Sequence, residues 1–372
     1  MDRDERYMRR AIELAERGWG QVAPNPLVGA VVVSDGQVVG EGFHARFGEE
    51  HAEMGALREA GARAAGSTLY VNLEPCAHTG KRSACALAIG EAGVREVVVA
   101  CRDPNPEAAG GLERLASAGV RVRLGTAASE ACRLNAPFFW RMTQELPYVA
   151  LKLAISIDGR IAAGPGLRTA LTGEVAAEEV HRLRAGYDAI LVGRGTVAAD
   201  DPWLTARGAL TPRVPPVRVV LDTGFRLSPS SRLATTIDEA PVWVVGSSEA
   251  DPERRRMVES TGARTLQVEE AGGRVSLTAA LEALAREGVG TVLVEGGASV
   301  ASALLGQGLV YRLHLLIAPR FLGDEGVPAF AGVPPSAAGD WVVSSRRRLG
   351  PDSMIVFESR EALERLTGRN GN

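Results

Sequence analysis

The chain has no apolar stretch approaching the roughly 18 residues needed to span a bilayer. Its charged start, Met1-Asp2-Arg3-Asp4-Glu5, leads into an amphipathic run rather than the apolar core of a signal peptide. Cysteine is scarce: four in 372 residues do not make a disulfide framework, and a reducing cytoplasm is the expected compartment. Positive charge has no surplus either, since 42 Lys and Arg against 45 Asp and Glu leave a net charge of −3 mixed along the length. Proteins that grip nucleic acid through its phosphates show a basic surplus or block. A small-molecule partner is therefore expected, with neither nucleic acid nor membrane. No internal repeat is visible.

What is present describes a globular chain of two parts. With 45% hydrophobic and 23% charged residues, the composition supports folded cores, and 372 residues exceed one ordinary core. A helical apolar spacing runs from residue 5 to 17. The apolar run Val28 to Val33 follows the Asn25-Pro26 turn, and Asp35-Gly36 marks a hairpin returning through Val38 and Val39. Helices are expected at His51 to Ala60, Cys85 to Glu91 and Leu112 to Ala118. Strands are expected at Thr68 to Leu73 and Val97 to Ala100. This alternation predicts one sheet covered by helices on both faces. At Pro147 the pattern restarts, with strands at Tyr148 to Ile155, Ala189 to Val192, Val217 to Leu221, Val242 to Val245, Thr291 to Val294 and Leu313 to Ile317. Two α/β domains are expected, 1–145 and 146–372, with an excursion loop at 205–216 inside the second.

The sharpest chemical signal is His51-Ala52-Glu53, followed by Pro75-Cys76 and then Cys85. A catalytic zinc site takes three protein ligands and leaves a fourth position to water, and one imidazole with two thiolates fits that count. Bound zinc lowers the pKa of water toward about 7. Glu53, two residues from the histidine, is placed to move the proton without touching the metal. His-x-Glu with Pro-Cys is the signature of nucleobase deaminases, although Cys76 and Cys85 are spaced more widely than Cys-x-x-Cys. Nine residues apart, they would face opposite sides of a continuous helix, so the chain from Ala77 to Ala84 must loop out and return. That loop contains His78, Thr79, Gly80, Lys81 and Arg82, a set suited to a phosphate or a sugar hydroxyl. Cys101 and Cys132 read as buried structural thiols.

In the second part, Val292-Leu293-Val294-Glu295-Gly296-Gly297-Ala298-Ser299 reads as a strand, a glycine turn and a helix start. Two glycines let backbone approach a ligand, and a helix N-terminus attracts phosphate, yet the Gly-x-Gly-x-x-Gly fingerprint is absent. Gly193 to Val197 and Asp200-Asp201-Pro202 follow the strand ending at Val192, where parallel sheets bind ligands. Arg184 and Arg207 are candidate anion contacts.

Asn25-Pro26-Leu27-Val28-Gly29, His51-Ala52-Glu53, Leu73-Glu74-Pro75-Cys76 with Cys85, and Arg102-Asp103-Pro104-Asn105-Pro106 together resemble the deaminase domain of the bifunctional riboflavin-biosynthesis deaminase/reductases. Lys152 to Ala162, Ile190 to Gly193, Thr196, Ala199 to Pro202 with Leu204-Thr205, and Val294 to Gly297 resemble that family's reductase domain. The resemblance runs from about Arg6 to the 350s. It implies a cytidine-deaminase-like α/β/α domain, then a dihydrofolate-reductase-like α/β domain, in a homo-oligomer. It also implies zinc-hydroxide deamination of 2,5-diamino-6-(5-phosphoribosylamino)pyrimidin-4-one at C2, followed by NADPH-dependent reduction of ribosyl to ribityl. By analogy, Asn25, His44, His78, Lys81 and Asn105 contact the first substrate. Ala154, Ala170, Thr196, Asp200, Thr223, Gly297, Ala298 and Ser299 line the NADPH site. Arg168, Arg184, Leu204, Arg207 and Glu295 face the second substrate, and Lys152 stabilises or protonates the sugar oxygen as hydride arrives.

One segment departs from the family. Where it usually carries Ser-x-Trp-Ile-Thr, this chain reads Arg168-Thr169-Ala170-Leu171-Thr172. Either Arg168 replaces a hydroxyl contact to phosphate with a charge-assisted one, or the second activity is weakened. This departure favours one alternative, a deaminase whose C-terminal part only binds a pyridine nucleotide or is purely structural; a separate alternative is a nucleic-acid-binding protein that edits bases in RNA.

Overall fold

The computed structural model describes residues 2–77, 84–333 and 340–367. Contacts group the chain into two units, one of Met1–Thr143 with Leu363–Asn372, the other of Gln144–Ala362.

The first unit is built on a five-stranded sheet. Its order is Gln37–Phe43, Gly29–Ser34, Thr68–Leu73, Glu96–Cys101, Arg121–Leu124. The hairpin strands run antiparallel and the last three run parallel. Alternation along the central strands sends side chains to two faces. Ala30, Val32, Leu69, Val71, Val97 and Val99 pack on one face with Ala52, Ala56, Ile89 and Leu115 from the helices Ala52–Ala60, Cys85–Glu91 and Gly111–Ser117. On the other face lies the helix Arg3–Ala15, where the Tyr7 and Tyr70 rings meet at 5.2 Å. Gly42 permits a close approach of the helix Ala52–Ala60: a Cβ there would stand 2.2 Å from the Ala52 carbonyl oxygen. The helix that begins beside His51 can therefore lie flat on the hairpin.

The second unit holds a nine-stranded sheet. In order, its strands are Arg264–Val268, Val242–Ser247, Val217–Leu221, Ala189–Gly193, Thr291–Val294, Tyr148–Ser156, Arg312–Ala318, Asp352–Ser359 and Trp341–Leu349. The first seven are parallel, and the last two add antiparallel at one edge. Residues such as Leu151, Leu153, Leu191 and Val294 form one core with the helices Leu277–Arg286 and Ala298–Gly306. Their neighbours Ile190, Val192, Val220 and Val244 form another on the opposite face. The long apolar runs in the sequence follow from this covering of both faces.

Most expected elements are present within a residue or two at each end, and Thr68–Leu73, Val217–Leu221, Thr291–Val294 and Cys85–Glu91 fall as expected. The helix expected at 5–17 runs from Arg3 to Ala15, because Asp2 caps its start. Not expected were the strands Arg121–Leu124, Arg264–Val268, Trp341–Leu349 and Asp352–Ser359. The 205–216 segment is irregular, as an excursion loop should be.

A buried ion pair fastens the antiparallel edge to the parallel sheet. Arg312 and Glu358 are direct cross-strand partners, and Arg312 Nε donates to Glu358 Oε1 at 2.7 Å. The Tyr148 hydroxyl donates to the other oxygen at 3.3 Å. Truncating Arg312 would strand a carboxylate that is 2% exposed. Arg312→Ala is expected to cost about 3–5 kcal/mol, read as a lower urea midpoint. A loss below about 1 kcal/mol, the scale of an exposed pair, would contradict this.

Candidate active sites

In the first unit, three separate backbone positions converge. His51 is the N-cap residue of the helix Ala52–Ala60. Cys76 follows the end of the strand Thr68–Leu73, and Cys85 opens the helix Cys85–Glu91. The ligand atoms of His51, Cys76 and Cys85 all lie within 4.8 Å of one another. Cys85 Sγ stands 3.2 Å and Cys76 Sγ 3.7 Å from His51 Nδ1, and the Cys85 backbone N–H donates to Cys76 Sγ at 3.4 Å. Cys76 and Cys85, nine residues apart, do meet at one point. His78 and Lys81, expected on that loop, lie outside the described residues.

The protonation of this cluster tests its fit to zinc. A hydrogen bond from Cys85 holds the Cys76 thiol well below its ordinary range, while the same bond and burial push Cys85 up. A divalent cation would take both sulfurs as thiolates and the imidazole as a neutral donor, and the three ligand atoms already lie close enough to share one ion. The donor set of one nitrogen and two sulfurs suits zinc. Glu53, in the first helical turn and 3% exposed, sits against the cluster. Burial pushes its carboxyl up, with the His51 charge and a hydrogen bond from the Cys85 side chain working the other way.

Around the cluster the loops are pinned by buried polar side chains. His44, 3% exposed, places Nδ1 3.0 Å from the Glu50 carbonyl and Nε2 3.1 Å from Asn25 Nδ2. Burial lowers its pKa, so the ring is neutral: Nδ1–H donates to the carbonyl, and Nε2 accepts from the Asn25 amide. Two residues that the sequence reading missed hold the Asn25 loop. Asn72 Nδ2 and Asn135 Nδ2 both donate to the Leu27 carbonyl, at 2.9 and 2.8 Å. Asn72 Oδ1 accepts from the Gly29 N–H, and Asn135 Oδ1 from the Leu27 N–H, each at 2.8 Å. Glu74 does the same for the next loop, accepting from Asp103, Gly110 and Leu112 N–H groups at 3.0 to 3.2 Å. Gly111 allows that loop to close, since a Cβ there would stand 1.7 Å from the Pro75 carbonyl oxygen. Asn105 lies on this loop, with its own side-chain oxygen accepting from the Glu107 N–H at 3.1 Å.

The second unit has a cavity of about 1120 Å³ beyond the C-terminal ends of its parallel strands. It brings together Lys152, Ala154, Arg168, Ala170, Arg184, Thr196, Asp200, Leu204, Arg207, Thr223, Glu295, Gly297, Ala298 and Ser299. The volume is at the upper end for small-molecule sites, room enough for a dinucleotide and a second ligand. At one wall, Arg184 donates Nε and Nη2 to the two oxygens of Glu295 at 2.5 and 2.8 Å, and Nη1 to the Thr205 carbonyl at 3.0 Å. Arg184 thus orients Glu295 rather than standing as an isolated cation. Burial alone would raise Glu295, yet the Arg184 charge and hydrogen bonds hold it ionised, below its ordinary value. Burial lowers Lys152, with Glu295 pulling the other way. Gly296 and Gly297 both have positive φ, 89° and 56°, and Gly297 caps the helix Ala298–Gly306. A Cβ on Gly297 would crowd Thr196 Oγ1 at 3.0 Å, so glycine keeps this turn open to a ligand.

Leu204 is buried with φ 52°, and the ring of the neighbouring Trp203 lies 5.2 Å from the Arg207 guanidinium carbon and 5.7 Å from that of Arg232. His181 Nδ1 accepts the Arg207 backbone N–H at 3.0 Å, a support the sequence reading missed. Burial raises Asp200, with the charge of Arg168 working the other way, and both residues line the cavity. Thr223 Oγ1 accepts from the Val275 N–H at 3.2 Å.

Residues 147–355 match the family model described as the RibD C-terminal domain, and residues 1–101 match the cytidine and deoxycytidylate deaminase zinc-binding region. The chain is 41% identical over 364 residues to the riboflavin biosynthesis protein RibD of Escherichia coli strain K12, covering 94% of this chain and 97% of that protein. Among solved structures, Acinetobacter baumannii RibD (form 1) is similar at 36% identity with a TM-score of 0.80, covering 96% and 98% of the two chains. A Thermotoga maritima diaminohydroxyphosphoribosylaminopyrimidine deaminase/5-amino-6-(5-phosphoribosylamino)uracil reductase is similar at 34% identity and a TM-score of 0.80, covering 96% and 99%.

The ligand assignment has a direct check. Cys85→Ser should lower zinc in the purified protein from about one ion per chain to well under half. Unchanged zinc on metal analysis would contradict it.

Proposed function

The chain belongs to the RibD family of bifunctional riboflavin-biosynthesis deaminase/reductases, and on that premise we propose which residues carry each activity. Deamination of 2,5-diamino-6-(5-phosphoribosylamino)pyrimidin-4-one is assigned to residues 1–145, and NADPH-dependent reduction of the ribosyl group to residues 146–372. The product is 5-amino-6-(5-phosphoribitylamino)uracil. The observation that carries the reading is the convergence of His51, Cys76 and Cys85 within 4.8 Å beside the buried Glu53. Membership in a family with both activities removes the reading of the second unit as a non-catalytic module.

Zinc, held by His51, Cys76 and Cys85, supplies the Lewis acidity that makes water a nucleophile at neutral pH. The protein's own part falls to Glu53. Its raised proton affinity suits a carboxylate that takes a proton from water and passes it to the departing nitrogen. The Asn25 amide gives its N–H to His44 and so presents its oxygen to a ring N–H of the substrate. His44 acts through Asn25 as a positioning residue. His78, Lys81 and Asn105 are assigned to the ribose and phosphate.

NADPH supplies the hydride of the second step. Ala154, Ala170, Thr196, Asp200, Thr223, Gly297, Ala298 and Ser299 are assigned to its binding. Arg168, Arg184, Leu204, Arg207 and Glu295 are assigned to the face that meets the second substrate, Arg184 acting through its pair with Glu295. Lys152, in the wall shared with Glu295, is assigned the proton that the sugar oxygen needs as the ring opens. Arg168, whose charge is felt at Asp200, keeps the departing segment on the cavity. A net charge of −3 supports a small-molecule partner over nucleic acid. Cytoplasmic residence keeps the ligand thiols reduced, and a homo-oligomer follows from the family resemblance. Among the described residues, no helix is long and apolar enough to cross a membrane.

The order of the steps is tested by ammonia release and NADPH absorbance on the diaminopyrimidine substrate. Ammonia without NADPH, then NADPH consumption once it is added, is expected. NADPH oxidation preceding any ammonia release would reverse the proposed order.

The residue roles separate by substitution. Glu53→Gln should retain zinc while deamination falls by about 10²–10⁴-fold; near-normal turnover would remove Glu53 from the chemistry. Glu295→Gln should slow reduction by roughly 10²-fold and spare ammonia release. Equal loss of both activities would contradict separate sites.

A further inference from the structure

Two cysteines have no part in either site. Cys101 ends the strand Glu96–Cys101, and Cys132 lies in the helix Ala128–Leu134, which packs on that strand. Both are buried, at 0% and 2% exposure. Their sulfurs stand 2.6 Å apart, about 0.6 Å beyond the bonded separation of roughly 2.05 Å. Either thiol can donate to the other, so the two sulfurs are held in direct contact. The zinc ligands are a different pair, Cys76 and Cys85, so closing this one costs the metal site no donor.

We propose that Cys101 and Cys132 are a modification site, a dithiol that a small peroxide converts reversibly to a disulfide. The sulfur of one cysteine attacks the peroxide, forming an S–O bond as the O–O bond breaks, and the departing oxygen takes up a proton as water. The second sulfur then attacks the first, so that the S–S bond forms, the S–O bond breaks, and the oxygen leaves as a second water with the thiol proton. Two thiols lose two electrons in all, and the peroxide gains them. The bond to Cys132 and burial push the Cys101 thiol up, so only a small peroxide reacts, and slowly, while the close resolving thiol intercepts the sulfenic acid before further oxidation.

The bridge would join two backbones that hold the deaminase loops. The Cys101 carbonyl accepts the Glu74 N–H at 2.9 Å, and Asn135, which pins Leu27, is the C-cap of the Cys132 helix.

The test uses the full-length zinc protein, first fully reduced and then treated with a slight excess of hydrogen peroxide. It is then denatured and alkylated, and its mass and peptides are read. The expected result is two alkylated cysteines instead of four, a cross-link between the Cys101 and Cys132 peptides, and full recovery of four thiols after dithiothreitol. Zinc content should not change. Cys132→Ser should abolish the cross-link. Four alkylated cysteines after peroxide, a bridge between Cys76 and Cys85 instead, or irreversible sulfinic acid at Cys101 would each overturn the proposal.

Discussion

A cation that demands three soft donors at one point is the constraint on which the first unit depends. No short stretch of chain can supply His51, Cys76 and Cys85 together. The sheet does so by ending the central strand Thr68–Leu73 near the start of two helices that lie on one face. Two glycines make the approach possible, Gly42 under the His51 helix and Gly111 against Pro75. Asn72, Asn135 and Glu74 then satisfy the backbone of the surrounding loops from inside. Such buried polar side chains are tolerable only when fully bonded, and here each is bonded at both of its polar atoms. The rigidity of the site follows from that network as much as from the ligands.

The second unit reaches its site by a different route. Parallel strands end together, and their following loops form the cavity without any single demanding ligand. On its wall the bidentate pair of Arg184 and Glu295 keeps a carboxylate ionised in the same cavity as Lys152. Positioning, rather than a metal, must supply most of the rate here. This explains why the second half carries few diagnostic residues: a cavity assembled from backbone turns and scattered contacts leaves little trace at any one place.

The legibility of the sequence follows the same division. His51, Glu53, Cys76 and Cys85 could be read because zinc chemistry restricts residue type. The strands Val217–Leu221 and Thr291–Val294 could be read because both their faces are buried. Arg121–Leu124 escaped notice because it is a mostly exposed edge strand carrying Arg121 and Arg123. Trp341–Leu349 escaped for the same reason, with Arg346, Arg347 and Arg348 in succession. Asn72 left a signal, a polar residue inside an apolar strand, that could have marked it as a clamp. Asn135 left none, since its partner Leu27 lies 108 residues away. The commitment of Arg184 to Glu295 was likewise out of reach, because 111 residues separate them.

The central claim is that one zinc ion is held by two sulfurs and one imidazole nitrogen, with Glu53 close but not bound. X-ray absorption at the zinc edge, on the wild-type protein and on Glu53→Gln, tests it most directly. The account predicts two sulfurs near 2.3 Å and two lighter atoms near 2.0–2.1 Å, about the usual zinc distances, with the same shell in both proteins. A shell that loses a ligand in Glu53→Gln, or one with fewer than two sulfurs, would contradict it.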